Sequence, residues 1–273
     1  MVPVKGSPGE ILVAPRKQEA FQQTLSIAWQ LARLDLVRRY TSTGLGMLWA
    51  ILSPLGMSLV IGAVFAKVFD QGLAEFLPYL FVNLTLWAFF VACLEGGAIA
   101  FIAAEGYIKQ VPNVSLAAYP LRMAFGAFAA LCFGLFAATL VTVVLGGTIN
   151  ASWLSILPAL GAWLIFGIAL ASLSAVLNTM VRDFTYVQTV GVQALFYATP
   201  IMYPPQMLVE HGLSWLLTFN PVYHLLMLVR TPLVFGDLPP LSHYIASAIV
   251  LLLLVPLAIV ALRRSRSSVV FWL

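Results

Sequence analysis

Residues 33–69 read RLDLVRRYTSTGLGMLWAILSPLGMSLVIGAVFAKVF, and this stretch decides the fold of the chain. It begins with a short basic segment and continues as a long apolar run, with Gly44 and Gly46 at the junction. Glycine permits a tight turn there, and the hydroxyl side chains of residues 41–43 can cap the helix that follows. We therefore predict a helix that lies on the membrane surface, a turn, and a helix that crosses the membrane.

The composition indicates an integral membrane protein. Of the 273 residues, 62% are hydrophobic and only 9% are charged, whereas soluble domains carry about 25% charged residues. Cys93 and Cys132 both fall within apolar stretches. We interpret them as small core residues rather than as disulfide partners or metal ligands.

The segment before the junction has the pattern of an interfacial helix. Residues 19–43 are predicted to form an amphipathic helix, because apolar residues recur at helical spacing with polar residues beside them. Residues 1–18 are polar and lack the apolar core of a signal peptide, which favours a flexible cytosolic tail. The apolar stripe of the predicted helix consists of Phe21, Leu25, Ala28, Trp29, Ala32 and Leu36.

Residues 44–273 are predicted to form a single transmembrane domain. A span needs about 20 apolar residues; the fifth of the candidate stretches is short and stops at prolines, and residues 205–243 hold apolar pieces too short to cross. We predict an all-α fold of six transmembrane helices, with an external re-entrant helical hairpin before the last one. The predicted spans are residues 46–69, 76–102, 116–145, 153–181, 186–202 and 244–262.

Lysine and arginine residues are distributed unevenly among the predicted connections. They precede the first span, lie in the second and fourth connections and follow the last span, whereas residues 70–75 and 146–152 contain none. Because basic residues are enriched on the cytosolic side of a membrane protein, we predict that both termini face the cytosol. The basic residues concerned are Lys5, Arg16, Lys17, Arg33, Arg38, Arg39, Lys109, Arg182, Arg263, Arg264 and Arg266.

The sequence predicts no catalytic residue and no metal site. It contains no glycine-rich phosphate loop followed by lysine and a hydroxyl residue, so an active transporter would need its motor on another chain. His211, His224 and His243 could bind a metal or relay protons, but they lack ligand spacing. We interpret them as interfacial polar residues.

Glu95 is the one acid well inside a predicted span, and an intramembrane carboxylate is a functional-site candidate. Two interpretations are open. We favour a structural role, in which Glu95 pairs with Arg122 at the start of the third span, over a role in transport.

Five segments follow one another along the chain. Together they resemble the ABC-2 type permeases that export polysaccharides such as O-antigens, capsules and teichoic acids, and the resemblance covers residues 19–262. The segments are RRYTSTGLGMLWAILSPLGMSLVIGAVF (38–65), GYIKQVPNVSLAAYP (106–120), the pair Arg182–Asp183, TPIMYP (199–204) and NPVYHLLMLVRTPLVFG (220–236).

The second of these segments departs from the family pattern. Glu105 precedes it where the family usually has asparagine, Gln110 replaces a second lysine, and Pro112–Asn113 stands where phenylalanine–proline is common. These differences concern the detail of the contact with a motor subunit rather than membership of the family.

The resemblance implies a channel-forming subunit in a bacterial plasma (inner) membrane. Two copies of the chain would pair with two ATP-binding cassette subunits, which would hold ATP and Mg²⁺, so this chain would need no cofactor and would not be an enzyme. The substrate would be a long glycan linked to a polyprenyl-pyrophosphate lipid.

The resemblance also assigns candidate residues. The second connection would contact the ATP-binding subunit, although its composition also fits an ordinary loop. Arg38 and Arg39 would meet a lipid pyrophosphate at the membrane surface, and ordinary anchoring of basic residues is the alternative. The connection residues are Tyr107, Ile108, Lys109, Gln110, Val111 and Pro112.

Aromatic side chains are candidates for a wet channel, because the C–H faces of sugars stack on aromatic rings. We predict that Trp49, Phe65, Tyr197 and Tyr203 line the channel. The alternative is a belt of aromatic residues at the lipid interface.

Two other functions were weighed against polysaccharide export. An ABC-2 exporter of a small amphiphile or drug would carry a lateral pocket in place of an open channel. An integral-membrane enzyme, such as a lipid transferase, would need acids or histidines that converge at one membrane face. Glu95, Asp183 and the histidines are predicted at different depths, which disfavours the enzyme.

Overall fold

The structure, a computed structural model, describes residues 17–41, 44–69, 71–110, 115–181 and 183–265, together with residue 269. Within those residues the regular structure is entirely helical. The helices are α1 (Lys17–Thr41), α2 (Trp49–Val68), α3 (Leu73–Ile99), α4 (Glu105–Gln110), α5 (Ala118–Val144), α6 (Ile156–Met180), α7 (Phe184–Ala198), α8 (Gln206–Glu210), α9 (Ser214–Phe219), α10 (Pro221–Arg230) and α11 (Leu241–Ser265).

Five segments of the described chain are long and apolar enough to cross a membrane. They confirm an all-α, multi-pass membrane protein with helices close to the predicted bounds. α7, the fifth predicted span, has 15 residues and so extends about 22 Å, less than the roughly 30 Å of a bilayer core. The count of six crossings therefore stays a prediction. The five segments are Ile51–Val68, Leu73–Ile99, Ala118–Val144, Ala151–Met180 and Leu241–Ser265.

α3 is the central helix of the bundle. In its apolar window 72% of the residues are buried, against 11% for α11, so α3 packs against protein while α11 faces outward. α3 and α6 can approach closely because Gly167 has no side chain. A Cβ added there would lie only 2.4 Å from Cζ of Phe89. Rings of Phe90 and Phe166 stack across the same contact, with centroids 6.2 Å apart.

The turn predicted between the first two helices is present. A 3₁₀ turn over Gly46–Leu48 leads into α2, and Gly46 adopts a φ of +49°. This left-handed conformation is readily available to glycine. Residues 42 and 43, predicted helix caps, lie outside the described residues.

α1 packs against the beginning of α5. Ala28 and Ala32 are fully buried, and Ala28 lies in a cluster with Ala118 and Leu121. Phe21, in the predicted apolar stripe, is exposed, as is Trp29 in the same stripe. Leu25 of the stripe packs against the same cluster, and the half-exposed Trp29 ring contacts Phe125 edge-on with centroids 6.3 Å apart. The stripe therefore contacts α5 through large as well as small residues. That α1 lies on the membrane surface stays a prediction.

A salt bridge holds α1 against α5. The guanidinium of Arg122 donates to both carboxylate oxygens of Asp35, and the Nη2–Oδ1 distance is 2.6 Å. The predicted pairing of Arg122 with Glu95 is wrong. On α5, Met123 is the residue that faces α3, since a Cβ added at Gly96 would lie 3.4 Å from Cβ of Met123. Its neighbour Arg122 lies on another face of α5, toward α1. The Glu95 side chain is exposed.

The bundle has two distinct ends. One end, here called the α4 end, carries α4, and residue 269 packs there with Ile108. The opposite end, here called the hairpin end, carries α8 to α10, and Asn150 donates to the carbonyl of Gly236 there at 2.6 Å. Residue 269 therefore lies at the α4 end. That both termini face the cytosol stays a prediction.

We expect Asp35→Asn to destabilise the protein by about 1–3 kcal/mol, because it leaves the half-buried guanidinium of Arg122 without its full partner. Thermal unfolding in detergent micelles measures the loss. Glu105→Gln is the matched control, since the Glu105–Lys109 pair is exposed and such pairs contribute less than about 1 kcal/mol. An equal loss in the two variants would contradict a structural role for the Asp35–Arg122 pair.

Candidate functional site

An extended segment at the hairpin end, residues 199–205, connects α7 to α8 and has no helix to bond its carbonyls. Side chains of α3 bond them instead. The Tyr79 hydroxyl lies 2.9 Å from the carbonyl oxygen of Pro200 and 2.8 Å from that of Tyr203. Asn83 donates to the carbonyl of Ile201 at 3.1 Å. Residues 79 and 83 are four apart on one helix and therefore share a face.

Arg230, at the end of α10, completes this arrangement from the other side. Its side chain is 1% exposed. Nη1 donates at 3.1 Å to the carbonyl of Pro200 and at 3.1 Å to the Tyr79 hydroxyl. The guanidinium carbon lies 5.0 Å from the ring centre of Tyr79 and 5.8 Å from that of Tyr223, within range of cation–π attraction. Among the described residues no acid pairs with it.

Asn220 joins the extended segment to the start of α10. Its Oδ1 accepts from the backbone nitrogens of Val222 and Tyr223 at 3.0 and 3.1 Å, which caps the helix. Its Nδ2 donates to the Thr199 hydroxyl at 2.7 Å. Pro221 follows as the first helical residue, where proline is favoured. We call Tyr79, Asn83, Asn220 and Arg230 the polar clasp.

α7 is held at the α4 end by a second set of polar contacts. Ser174 donates to the buried Gln188 at 2.6 Å. Asn178 donates to the carbonyl of Ala98 at 2.7 Å and accepts from the Thr185 hydroxyl at 2.5 Å. α7 is thus held at both ends. Most of its surface is not covered by the rest of the chain.

Two of the predicted channel residues, Tyr197 and Tyr203, lie together. The Tyr203 hydroxyl donates to the carbonyl of Tyr197 at 2.7 Å, and burial raises the pKa of Tyr203 above its ordinary value. The hydroxyl therefore stays protonated as a donor. The Tyr197 side chain is 62% exposed and its ring contacts Phe196 edge-on. The ring of Tyr197 is thus largely uncovered by the rest of the described chain, and its role in a channel stays a prediction.

The other two predicted channel residues lie far apart on α2. Residues 49 and 65 are separated by about 24 Å along a helix. Phe65 lies toward the hairpin end and contacts the ring of Phe69 with centroids 5.8 Å apart; Phe69 in turn contacts Phe76. Trp49 lies toward the α4 end and is 50% exposed. The four residues do not form one cluster, and their role in lining a channel stays a prediction.

α4 carries part of the predicted contact with a motor subunit. Tyr107 is 67% exposed and Ile108 is 7% exposed, so Ile108 anchors the helix while Tyr107 faces outward. Lys109 pairs with Glu105 across one helical turn at 2.6 Å, which gives a physical reason for glutamate at position 105. Gln110 ends the helix, but its side chain lies outside the described residues, as do Val111 and Pro112.

The predicted headgroup residues are described in part. Arg38 lies near the end of α1 with an exposed side chain. The backbone of Arg39 belongs to α1, but its side chain lies outside the described residues. The pairing of Arg38 with a lipid phosphate stays a prediction.

Two of the histidines lie together, and the two cysteines differ in burial. His224 and His243 approach each other with their Nδ1 atoms 2.9 Å apart, and Nε2 of His224 lies 2.9 Å from the carbonyl oxygen of Thr218. Cys93 is buried, as predicted for a core residue, whereas Cys132 is exposed, so the core prediction for Cys132 is wrong. Within the described residues, no three metal-binding side chains converge.

The sequence reasoning missed the polar clasp. Arg230 lies within the quoted segment 220–236, but no contact was predicted for it. Two patterns could have indicated one: Tyr79 and Asn83 share a helical face within an apolar span, and Arg230 directly follows the apolar residues 225–229. A charge in such a position is expected to have dedicated partners.

Comparison with known proteins gives a consistent result. A sequence profile described as ABC-2 type transporter matches residues 27–234. A protein of Klebsiella pneumoniae named O-antigen export system permease protein RfbA is 27% identical over 211 residues, covering 75% of this chain and 78% of that protein. A protein of the same name from Myxococcus xanthus is 26% identical over 231 residues, covering 81% and 86%.

We expect Tyr79→Phe to loosen residues 199–205, because it removes the hydroxyl that serves two carbonyls and the buried guanidinium. The expected cost is about 1–3 kcal/mol. Hydrogen–deuterium exchange should become faster in peptides that cover this segment and remain unchanged in α6. Tyr107→Phe, which removes an exposed hydroxyl, is the control. Unchanged exchange in Tyr79→Phe would show that the clasp does not hold the segment.

Proposed function

Because the chain belongs to the ABC-2 type transporter family, we propose that it is the transmembrane subunit of a transporter that exports a polysaccharide. The observation that carries this proposal is similarity to O-antigen export permeases over 75% and 81% of the chain. The family match, residues 27–234, spans the positions of the four polar-clasp residues. The names of these relatives favour polysaccharide export over export of a small amphiphile or drug.

A permease of an ABC transporter works with an ATP-binding partner. We propose two copies of this chain and two ATP-binding cassette subunits, with ATP and Mg²⁺ held by the latter. α4 supports a docking role, because Ile108 fixes it to the bundle while Tyr107 and Lys109 face outward. The site for the partner would then be a short, rigid helix rather than a flexible loop.

The proposed substrate is a glycan linked to a polyprenyl-pyrophosphate lipid. Arg38 is exposed near the junction of α1 and α2, where, with Arg39, it would meet a pyrophosphate by charge-assisted hydrogen bonds. The proposed location is a bacterial inner membrane with both termini in the cytosol, supported by the basic residues that flank the spans.

The proposed channel wall comprises α2, α7 and the extended segment that follows α7. Most of the surface of α2 and α7 is not covered by the rest of the chain, so a second copy could enclose a path between them. Trp49, Phe65, Tyr197 and Tyr203 would offer flat apolar faces to sugar rings along that path.

Deletion of the chain from its host tests the proposed function directly. The lipid-linked glycan should accumulate inside the cell and surface polysaccharide should disappear, and the intact chain should restore both. Normal surface polysaccharide in the deletion strain would contradict the proposal.

We expect Tyr107→Ala combined with Lys109→Ala to lower export by about tenfold or more while the protein still inserts. Truncation of interface hot-spot residues costs about 2 kcal/mol or more. Export per molecule and ATP turnover are measured in the assembled transporter. Tyr107→Phe with Lys109→Arg is the conservative control. Ile108 is left unchanged because it is buried, so that substituting it would test folding rather than docking. Normal export with normal coupling to ATP turnover in the alanine variant would refute the contact.

We expect the proposed channel to tolerate exchange of an aromatic ring better than its loss. Tyr197→Phe should export almost normally, whereas Tyr197→Ala should lower export about fivefold, because a stacking contact contributes roughly 1 kcal/mol. The exposure of Tyr197 limits any packing effect, and protein level in the membrane controls for folding. Full export per molecule by alanine variants at all four aromatic positions would exclude this stacking path.

A further inference from the structure

Two imidazoles meet at the hairpin end, outside the polar clasp. His224 of α10 and His243 of α11 lie with their Nδ1 atoms 2.9 Å apart and their ring centres 5.1 Å apart. We propose that this pair, here called the histidine latch, holds α10 against α11 at neutral pH and releases it on acidification. Such a latch would act whatever substrate the subunit carries, since it concerns only how the helices of this end are held together.

The hydrogen bonds of His224 determine which ring nitrogens carry hydrogen. Nε2 of His224 lies 2.9 Å from the carbonyl oxygen of Thr218, and a carbonyl oxygen can only accept, so Nε2 is the donor. Because a neutral imidazole has one N–H, Nδ1 of His224 accepts, and Nδ1 of His243 is the donor to it. The bond between the two rings therefore exists only while Nδ1 of His224 is unprotonated.

His224 connects three helices through these contacts. Its Nε2 bonds to α9 at Thr218, its backbone belongs to α10, and its Nδ1 bonds to α11 at His243. The ring of Tyr223 lies against both imidazoles, with centroids 5.7 Å and 5.6 Å away. Loss of the bond between the imidazoles would therefore free α11 from a unit that includes both α9 and α10.

Protonation opposes this arrangement through geometry and through charge. A proton on Nδ1 of His224 would place two N–H groups face to face at 2.9 Å, and two imidazolium rings repel each other. Arg230 adds a third positive charge, because its guanidinium carbon lies 5.8 Å from the centre of the Tyr223 ring that touches both imidazoles. The closed latch therefore strongly disfavours protonation of both rings.

The groups around the latch supply no compensating negative charge. Among the described residues, neither imidazole forms an ion pair with a carboxylate, and the described acids of the hairpin end are exposed. α6 packs against both α10 and α11 and contains no titratable side chain. Those acids are Glu75, Glu210 and Asp237, and the other titratable residues on the elements around the latch are Tyr79, His211, Tyr223, Arg230 and Tyr244.

Opening of the latch exposes both rings to water. An imidazole in water takes up a proton at about pH 6.5, whereas the closed latch resists protonation of both rings. The closed form is thus fully favoured above about pH 6.5 and loses that advantage as the pH falls. On the predicted external face of the subunit, the latch would respond to the pH of the surrounding medium.

Hydrogen–deuterium exchange of the full chain in lipid nanodiscs tests the latch between about pH 8 and pH 5, where histidine titrates. Labelling times are scaled to the intrinsic exchange rate at each pH, so that protection reports opening. We expect protection in α10 and at the start of α11 to fall on acidification, by up to about tenfold per pH unit for each histidine that takes up a proton. Protection in α5, which contains no histidine, should stay unchanged.

The chain has three histidines, and variants separate their contributions. His243→Asn keeps a neutral amide donor for the other ring, and His224→Gln keeps a donor for the Thr218 carbonyl. Each single variant should reduce the pH dependence, and the double variant should abolish it while protection at about pH 8 is retained. His211→Gln is the matched control and should leave the pH dependence unchanged. His211 is exposed at the same end, with Nδ1 2.8 Å from the carbonyl oxygen of Met207.

Several outcomes would overturn the proposal. Unchanged protection of the unmodified chain on acidification would show that the latch does not hold α10 against α11. An equal pH response in the double variant, or loss of the response in His211→Gln, would assign the response to another group. Should the double variant lose protection at about pH 8, the single His243→Asn variant decides, and a response equal to that of the unmodified chain contradicts the latch.

Discussion

The arrangement of the hairpin end depends on one buried positive charge. Taking a guanidinium out of water costs several kcal/mol unless its donors are satisfied. Nη1 of Arg230 donates to a carbonyl and to a hydroxyl, Nη2 donates to the sulfur of Met227, and two aromatic rings lie within cation–π range, whereas Nε has no partner among the described residues. The extended segment after α7 has the opposite requirement, because its carbonyls need donors. The two requirements are complementary, because the carbonyl of Pro200 accepts from Nη1 of Arg230 and the Tyr79 hydroxyl bonds to the same segment.

α3 is the helix that makes this possible. It supplies Tyr79 and Asn83 to the clasp near one end and accepts the second set of polar contacts, through the carbonyl of Ala98, near the other. Between those points it is packed by rings and by glycine contacts with α6. The short α7 is therefore positioned at both ends by partners on or next to a single buried helix.

Much of the fold could be predicted from the sequence because a bilayer permits few solutions. Every backbone group in the hydrocarbon must be bonded internally, so long apolar runs become helices, and the predicted bounds agree with α2, α3, α5, α6 and α11 within a few residues. Hydropathy reports depth but not the direction in which a side chain points. That is why Arg122 was assigned to Glu95 rather than to Asp35, and why Cys132 was expected in the core.

The site was less predictable for a related reason. The polar clasp joins residues more than a hundred positions apart. Contacts between such distant residues produce no recognisable spacing in the sequence. The aromatic residues were identified by type, yet only Tyr197 and Tyr203 lie together, because Trp49 and Phe65 belong to opposite ends of one helix. That residues 107–112 contact a motor subunit stays a prediction from the sequence, and only packing reveals that Ile108 faces inward and Tyr107 outward.

The continuity of α3 has a mechanical consequence. Its 27 residues form a rod of about 40 Å that joins the region next to α4 with the region that holds residues 199–205, and its one internal proline, Pro78, lies in the first turns. A stiff rod transmits tilt without an intervening hinge. We therefore expect the α4 end and the hairpin end to tilt together, so that a displacement at one end reaches the other without rearrangement of side chains along the helix.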